Sequence, residues 1–252
     1  MFGGFFAATL AFWTGSFVWG IVLAIPVMMI AGVVLDLIVL RTLYERNHLD
    51  QVLATFGLIL FFNELFLIVY GPEGMAFPLP EAVSGIATLP GGITVPEYRL
   101  VIIILGLLVA LGLYLLVSKT RVGMLIRAGA SNRKMLGALG VNVQVLFTAV
   151  FGLGAVLAGF AGMIVTPITQ AQSGMGEDPL ILAFVVIVIG GIGSIRGAFV
   201  GAVITGVIDT MGRSFIDVGL LTFLDTEAAE SAGPAISSML IYLLMAGILA
   251  FK

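Results

Sequence analysis

The sequence predicts an all-α polytopic membrane protein, and three observations lead to this prediction. Of its 252 residues, 60% are hydrophobic and 10% are charged, whereas a soluble domain carries about 25% charged residues. The hydrophobic residues form runs of about 20, the length that an α-helix needs to cross a bilayer. These runs lack the alternation of every second residue that barrel strands show.

The hydrophobic runs predict about seven spans, which together form a single transmembrane domain over residues 1–252. The run from 180 to 214 is too long for one span, and GGIGSIRG at Gly190–Gly197 supplies a natural turn within it. The amino-terminal MFGGFFAATLAFW is apolar but short, so it is either the second half of a span or a short interfacial helix. The expected spans lie near 17–40, 51–70, 99–117, 145–166, 180–195, 197–214 and 236–251.

Charged residues separate the links into two groups. Lys and Arg occupy 41–50, 118–144 and the turn at Arg196, whereas 71–98, 166–179 and 215–235 carry only acidic charge. Basic links favour the cytoplasm. We therefore expect the amino end outside and the carboxyl end inside a bacterial inner membrane.

Residues 71–98 form a periplasmic loop in this topology. Its five prolines favour turns and extended chain over helix. TLPGGITVP has the pattern of a small hairpin with Gly91 and Gly92 at its bend. The loop is either an ordered lid or a plain connector.

No motif in the sequence predicts an enzyme. There is no cysteine and a single histidine, His48, so a metal cluster is not expected, and no P-loop is present that could bind ATP. The net charge of −3 does not indicate the basic surface that binds nucleic acid. The chain is expected to bind no cofactor of its own.

Polar residues within the spans are the candidates for function, because they are costly in a membrane. Thr55, Asn63 and Glu64 are tentative pathway residues, with an interhelical hydrogen bond as the alternative. Asp36, near a span end, is expected to snorkel and pair with Arg41. Asp209 and Arg213, four residues apart, are expected to form an interfacial ion pair.

Small residues spaced four apart predict close helix packing. They form one pair in the segment after 195 and two pairs in the span near 145–166. The residues concerned are Gly197 and Gly201, Ala155 and Gly159, and Ala158 and Gly162.

The stretch SKTRVGMLIRAGASNRKMLGALG, 118–140, holds five of the eleven basic residues and no acidic one. Ser131 is the expected N-cap of a short helix, and Met135, Leu136 and Leu139 give that helix an apolar edge. Arg133 and Lys134 fall in its first turn, where the helix dipole disfavours cations. The element is either a membrane-surface anchor or a docking helix.

Three segments resemble the permeases of branched-chain amino acid ABC transporters. They are RTLYERNHLDQVLATFGLILFFNELFLIVYGP at 41–72, TRVGMLIRAGASNRKMLGALGVNV at 120–143 and VVIVIGGIGSIRGAFVGAVI at 185–204. The family pattern also has an amino-terminal span with a NFAHGE-like sequence and a carboxyl tail, so a complete member is expected to be longer than this chain.

The resemblance implies a permease subunit that is paired with a second permease in the membrane lipid. Two cytoplasmic ATPase subunits, which hold ATP and Mg, would bind the coupling loop 118–144, and a periplasmic binding protein would deliver the solute. The residues implied in or beside the ATPase groove are Arg127, Ala128, Asn132, Met135, Leu136, Gly137 and Gly140. The solute is a branched-chain amino acid, with urea or a short amide as alternatives. Other classes are a stand-alone channel, a secondary carrier and a membrane enzyme.

Overall fold

Helices make up most of the computed structural model, which describes residues 1–44, 46–77, 79, 83–89, 93–191, 194–220 and a few positions after 235. Its helices are α1 Phe2–Thr14, α2 Phe17–Leu35, α3 Arg41–Leu43, α4 His48–Tyr70, α5 Glu97–Lys119, α6 Arg121–Ser131, α7 Arg133–Ala138, α8 Val143–Thr169, α9 Glu177–Gly190 and α10 Ile195–Leu220. The chain divides into two compact units, Met1–Gly176 and Glu177–Lys252.

Four of the described helices are long and apolar enough to cross a membrane. They cover Phe17–Leu43, Leu49–Tyr70, Glu97–Lys119 and Val143–Thr169, and they correspond to the first four predicted spans. The first of them runs through α2, a π-helical turn over Asp36–Leu40, and α3. The run from 180 to 214 is divided as expected, since α9 ends at Gly190 and α10 begins at Ile195. The segment 236–251 lies mostly outside the described residues, and the total of seven stays a prediction.

Helix α1 packs along α2 and α8 and contributes much of the core of the first unit. Ala7, Ala8 and Ala11 are buried together with Ala24 and Met163. Five of the six buried positions of α1, Gly3, Gly4, Ala7, Ala8 and Ala11, form one face, and this face contacts α2 and α8. The buried face of a helix lying on a membrane surface would contact lipid instead. This packing is that of a segment within the bundle.

The small residues of α8 allow this close approach. A Cβ on Gly3 would overlap the carbonyl of Gly159, and one on Gly32 would lie 2.5 Å from the Cβ of Ala155. Gly4 of α1 faces Gly162 and Thr166 of α8 at the same contact. Glycine and alanine thus remove the side chains that would hold α1 and α2 away from α8.

The second unit contains α9 and α10, which meet through glycines in the same way. A Cβ on Gly197 would overlap the carbonyl of Gly190, and one on Gly201 would lie 3.0 Å from the carbonyl oxygen of Val186. Gly191, at φ 82°, makes the turn between the helices.

In the first unit, the links between the spans gather at two ends. The link after α4 meets the link after α8 where Met75 and Ala171 exchange backbone hydrogen bonds of 2.8 and 3.0 Å. The expected hairpin lies in the former link, with β1 Ile86–Leu89 antiparallel to β2 Ile93–Pro96; its bend is outside the described residues. The links after α3 and before α8 meet at the other end, and these two links carry most of the basic residues of the first unit.

Candidate functional site

The basic link, residues 118–144, forms two short helices at the end of α5. The chain reverses at Thr120, whose Oγ1 accepts a 3.1 Å hydrogen bond from the backbone N–H of Gly123 and so caps α6. A Cβ on Gly123 would overlap the carbonyl of Val117, which explains the glycine there. Arg127 donates to that same carbonyl. A cation at the carboxyl end of a helix is favourable, so Arg127 fixes α6 to α5.

The cap of α7 is Asn132, and the expectation of Ser131 is wrong. The side-chain oxygen of Asn132 accepts a 3.0 Å hydrogen bond from the N–H of Met135, while Ser131 is the last residue of α6. Both residue types cap helices well. Helix α6 continues through Ser131, so Asn132, which has an extended backbone, is the residue that precedes α7.

The apolar edge of α7 consists of Met135 and Leu139, which are 64% and 74% exposed. Leu136, predicted to belong to it, is only 4% exposed. Its side chain points inward, where a Cβ on Gly129 would lie 3.2 Å from Cδ2 of Leu136. Leu136 therefore holds α7 on α6, and Met135 and Leu139 stay open.

Arg133, at the start of α7, stacks on two aromatic rings. Its guanidinium carbon lies 5.4 Å from the ring centroid of Tyr44 and 4.7 Å from that of Phe147. Such contacts stabilise a cation through the negative face of the ring. They offset the unfavourable helix dipole and connect α7 to α8 and to the end of the first span.

Asp36 lies directly beside this contact and is 1% exposed, so the prediction that it snorkels and pairs with Arg41 is wrong. Its Oδ1 accepts a 2.8 Å hydrogen bond from Tyr44, and its Oδ2 accepts one of 2.5 Å from Thr148. Arg41 instead donates to the side chain of Gln144. Burial, together with the bond to Asp36, raises the pKa of the Tyr44 phenol to about 12. This phenol therefore stays protonated and remains a donor.

These contacts were missed by the sequence analysis. Asp36 and Thr148 are 112 residues apart, a separation that no local spacing rule detects. The sequence feature that could have indicated them is the carboxylate near the end of an apolar span, because such a group needs polar partners.

The other residues assigned to the coupling loop are at the surface. Arg127, Ala128, Asn132 and Gly137 are exposed, as is Gly140, whose φ of 85° ends the turn after α7. Of the seven implied residues, Leu136 alone is buried.

The tentative pathway residues all lie on α4, but not on one face. Glu64 follows Thr55 by nine positions, which at about 100° per residue places the two on opposite sides of the helix. Thr55 bonds to its own helix, with 2.9 Å to the carbonyl of Gln51. The carbonyl of Asn63 accepts a 2.8 Å hydrogen bond from Ser173, and Glu64 is exposed.

The remaining predicted residues serve packing or lie partly outside the described structure. Ala158 borders a cavity of about 190 Å³ between α1, α2 and α8. The expected ion pair of Asp209 with Arg213 involves a side chain outside the described part of the chain. Within that part, no three acidic, cysteine or histidine side chains gather as a metal site.

Apolar helices packed through glycines, with a pair of surface helices beyond their ends, define a polytopic helical membrane protein. Residues 1–249 match the family described as branched-chain amino acid transport system / permease component. The chain belongs to this family.

Individual relatives bear the same description. The chain is 29% identical over 205 residues to the high-affinity branched-chain amino acid transport system permease protein BraD of Pseudomonas aeruginosa, covering 75% of this chain and 66% of that protein. It is 25% identical over 241 residues to LivH of Escherichia coli K12, covering 91% and 73%. A probable LivH of Methanocaldococcus jannaschii is 25% identical over 201 residues, covering 75% and 62%. The chain thus spans roughly two thirds of the length of these relatives, and no solved structure has significant similarity to it.

Proposed function

We propose that the chain is a permease subunit of an ABC importer and forms part of the membrane pathway for branched-chain amino acids or related small polar solutes. Its family and the names of its relatives support this function. A second permease subunit completes the pathway, a periplasmic binding protein supplies the solute, and two ATPase subunits hydrolyse ATP with Mg. The permease itself catalyses no reaction.

The form of the basic link supports its role as the ATPase contact. Met135 and Leu139 present exposed apolar side chains at the basic end of the first unit, on a helix whose other side is held by Leu136 and Arg133. The buried core of a protein interface is apolar, and methionine is enriched there relative to the rest of the surface.

The same contacts would transmit a movement of α7 to the helices of the first unit. A displacement of α7 acts on Tyr44 and Phe147 through the guanidinium of Arg133, and on α2 and α8 through Asp36 and Thr148. These are the helices that pack against α1. In alternating access, closure of the ATPases would thus move the glycine-packed part of the first unit.

The docking role is tested by the double substitution Met135→Asp and Leu139→Asp. Co-purification of the ATPases and ATP-driven uptake should both be lost, because charges replace the two exposed anchors. The control is Ile86→Asp, which alters an apolar residue of 70% exposure in β1, beyond the opposite end of α5. Retention of the ATPases by the double variant would contradict this assignment.

The substrate class is tested by uptake into vesicles that contain the complete transporter and its binding protein. Leucine, isoleucine and valine should compete with one another, whereas preferential transport of urea or a short amide would reassign the substrate. Uptake that continues without the ATPases would indicate a channel or a secondary carrier instead.

We infer the topology from the charges and positions of the links. The basic links after α3 and before α8 lie at one end of the first unit, and the acidic links meet at the other through Met75 and Ala171. We place the basic end in the cytoplasm of a bacterial inner membrane, with the start of α2 outside and the carboxyl end inside. Met1 itself lines the cavity between α1, α2 and α8, so the amino end lies within the bundle and we do not propose that it is outside. Cysteines introduced at Lys119 and at Glu73 should be labelled from opposite sides.

A further inference from the structure

A groove of about 400 Å³ opens between the end of the first span, α7 and the start of α8. We refer to it as the cationic groove, because three of its lining residues are Arg41, Arg133 and Lys134. Asp36 is the one carboxylate among the lining residues. The groove therefore carries three positive charges and one negative charge.

The single carboxylate does not neutralise these cations. Its two oxygens accept hydrogen bonds from Tyr44 and Thr148, and it is almost completely buried. Among the described residues, none of the three cations forms an ion pair with an acidic side chain. A positive potential is left at the mouth of the groove.

Two of the cations are held in place by neutral partners. Gln144 accepts a hydrogen bond from Arg41, and the rings of Tyr44 and Phe147 flank Arg133. Both kinds of contact leave the positive charge intact and reduce the conformational entropy that an arginine loses on binding an anion. Lys134, the neighbour of Arg133, is exposed.

The position of the groove indicates the kind of anion. Arg41 is in the last turn of the Phe17–Leu43 span, at the depth where lipid headgroups lie. Basic pockets between helices at the cytoplasmic surface bind anionic headgroups. The volume is also ample for a phosphate with its substituent.

We propose that the cationic groove binds the phosphate group of an anionic phospholipid such as phosphatidylglycerol. The lipid would bridge Arg41 at the end of the first span to Arg133 and Lys134 on α7. It would thereby make the position of α7 depend on the composition of the cytoplasmic leaflet. This site concerns lipid and requires none of the partner subunits.

The test is native mass spectrometry of the full chain in neutral detergent, with phosphatidylglycerol and phosphatidylcholine compared at equal concentration. The wild type should retain phosphatidylglycerol preferentially. Arg133→Gln with Lys134→Gln should reduce its retention by about fivefold for each charge removed. The matched control is Lys119→Gln with Arg121→Gln, which removes two exposed charges from the same link outside the groove, and it should retain the lipid.

Further measurements separate the possible outcomes. Arg133→Lys keeps the charge and should retain most of the lipid, which distinguishes loss of binding from loss of folding. Displacement of the lipid by millimolar inorganic phosphate would identify a soluble phosphate as the occupant and would overturn the assignment to lipid. Equal losses in the two double variants, or no preference for phosphatidylglycerol in the wild type, would overturn the proposal. Loss of ATPase binding by Arg133→Gln with Lys134→Gln, without any change in lipid, would identify the partner as the occupant and also overturn it.

Discussion

The hydroxyl of Tyr44 donates a 2.8 Å hydrogen bond to Oδ1 of Asp36, a carboxylate that is 1% exposed. Thr148 donates to the second oxygen, so one carboxylate joins the first span, the link that follows it and α8. A buried charge is tolerated when its hydrogen bonds are satisfied and is costly when they are not.

The first prediction concerns this buried carboxylate. Tyr44→Phe removes one of its two donors and should reduce the stability of the first unit by about 1.5–3 kcal/mol, the range for a hydrogen bond to a charged group. Thermal unfolding in detergent measures the change. Tyr70→Phe is the control, because the Tyr70 hydroxyl lies 3.2 Å from the neutral hydroxyl of Thr9. Equal effects of the two substitutions would show that Asp36 does not depend on Tyr44.

The second prediction concerns the response of the same contact to alkaline pH. The pKa of the Tyr44 phenol is raised to about 12 from an ordinary value of 10.0, so the folded state holds this proton more tightly than the unfolded state. Its stabilising contribution is complete below pH 10 and is lost as the pH rises toward 12. The wild type should therefore lose more thermal stability between pH 9 and pH 11 than Tyr44→Phe does. Parallel pH profiles would contradict the raised pKa.

The sequence predicted features that depend on neighbouring residues and missed those that depend on distant contacts. Apolar runs located the first four spans, and the prolines and glycines of 71–98 indicated the hairpin. Asp36 was assigned to Arg41 because the two lie close in the chain. Its actual partner Thr148 belongs to α8, and burial between α2 and α8 favours hydroxyl donors that need no desolvation of a second charge.

Leu136 shows the same limit on a smaller scale. In the sequence, Leu136 cannot be distinguished from Met135 and Leu139, because all three are large apolar residues of one short helix. Gly129 leaves space for Leu136 in the tertiary structure, and this space decides which of the three is buried. The exposed edge could be identified only after the position of α6 was known.

The third prediction tests the close contact of α1 with α8. Gly3→Ala would place a methyl group into the carbonyl of Gly159, so α1 must move and the melting temperature of the first unit should fall. The control is Gly154→Ala, also on α8, where nothing lies within 4 Å. The Gly154→Ala control should be more stable than the wild type by about 0.5–1 kcal/mol, since alanine is more favourable than glycine within a helix. A neutral Gly3→Ala would contradict the packing of α1.

The fourth prediction distinguishes the two candidate caps of α7. Asn132→Ala removes the acceptor of the Met135 N–H and should destabilise α7 by about 1 kcal/mol, seen as faster hydrogen exchange of its amides. Ser131→Ala should leave this exchange unchanged, because Ser131 ends α6. The opposite result would restore the cap that the sequence predicted.

The fifth prediction asks which face of α4 lines an aqueous pathway. Thr55 and Glu64 lie on opposite sides of this helix, so a pathway along one face cannot include both. A carboxylate is costly in lipid. The Thr55 hydroxyl tolerates contact with lipid, because it donates a hydrogen bond to the carbonyl of Gln51 in its own helix. The face of Glu64 is therefore expected to be wet, and Leu60, one turn away, shares that face.

The sequence has no cysteine, so single-cysteine variants report on one position each. Glu64→Cys and Leu60→Cys should react with a charged maleimide in the assembled transporter, and solute should slow both reactions. Thr55→Cys and Val69→Cys, on the opposite face, should react slowly with or without solute. Slow labelling of Glu64→Cys and Leu60→Cys, unaffected by solute, would contradict a pathway along the Glu64 side of α4 and would favour the interhelical hydrogen bond as the role of Glu64.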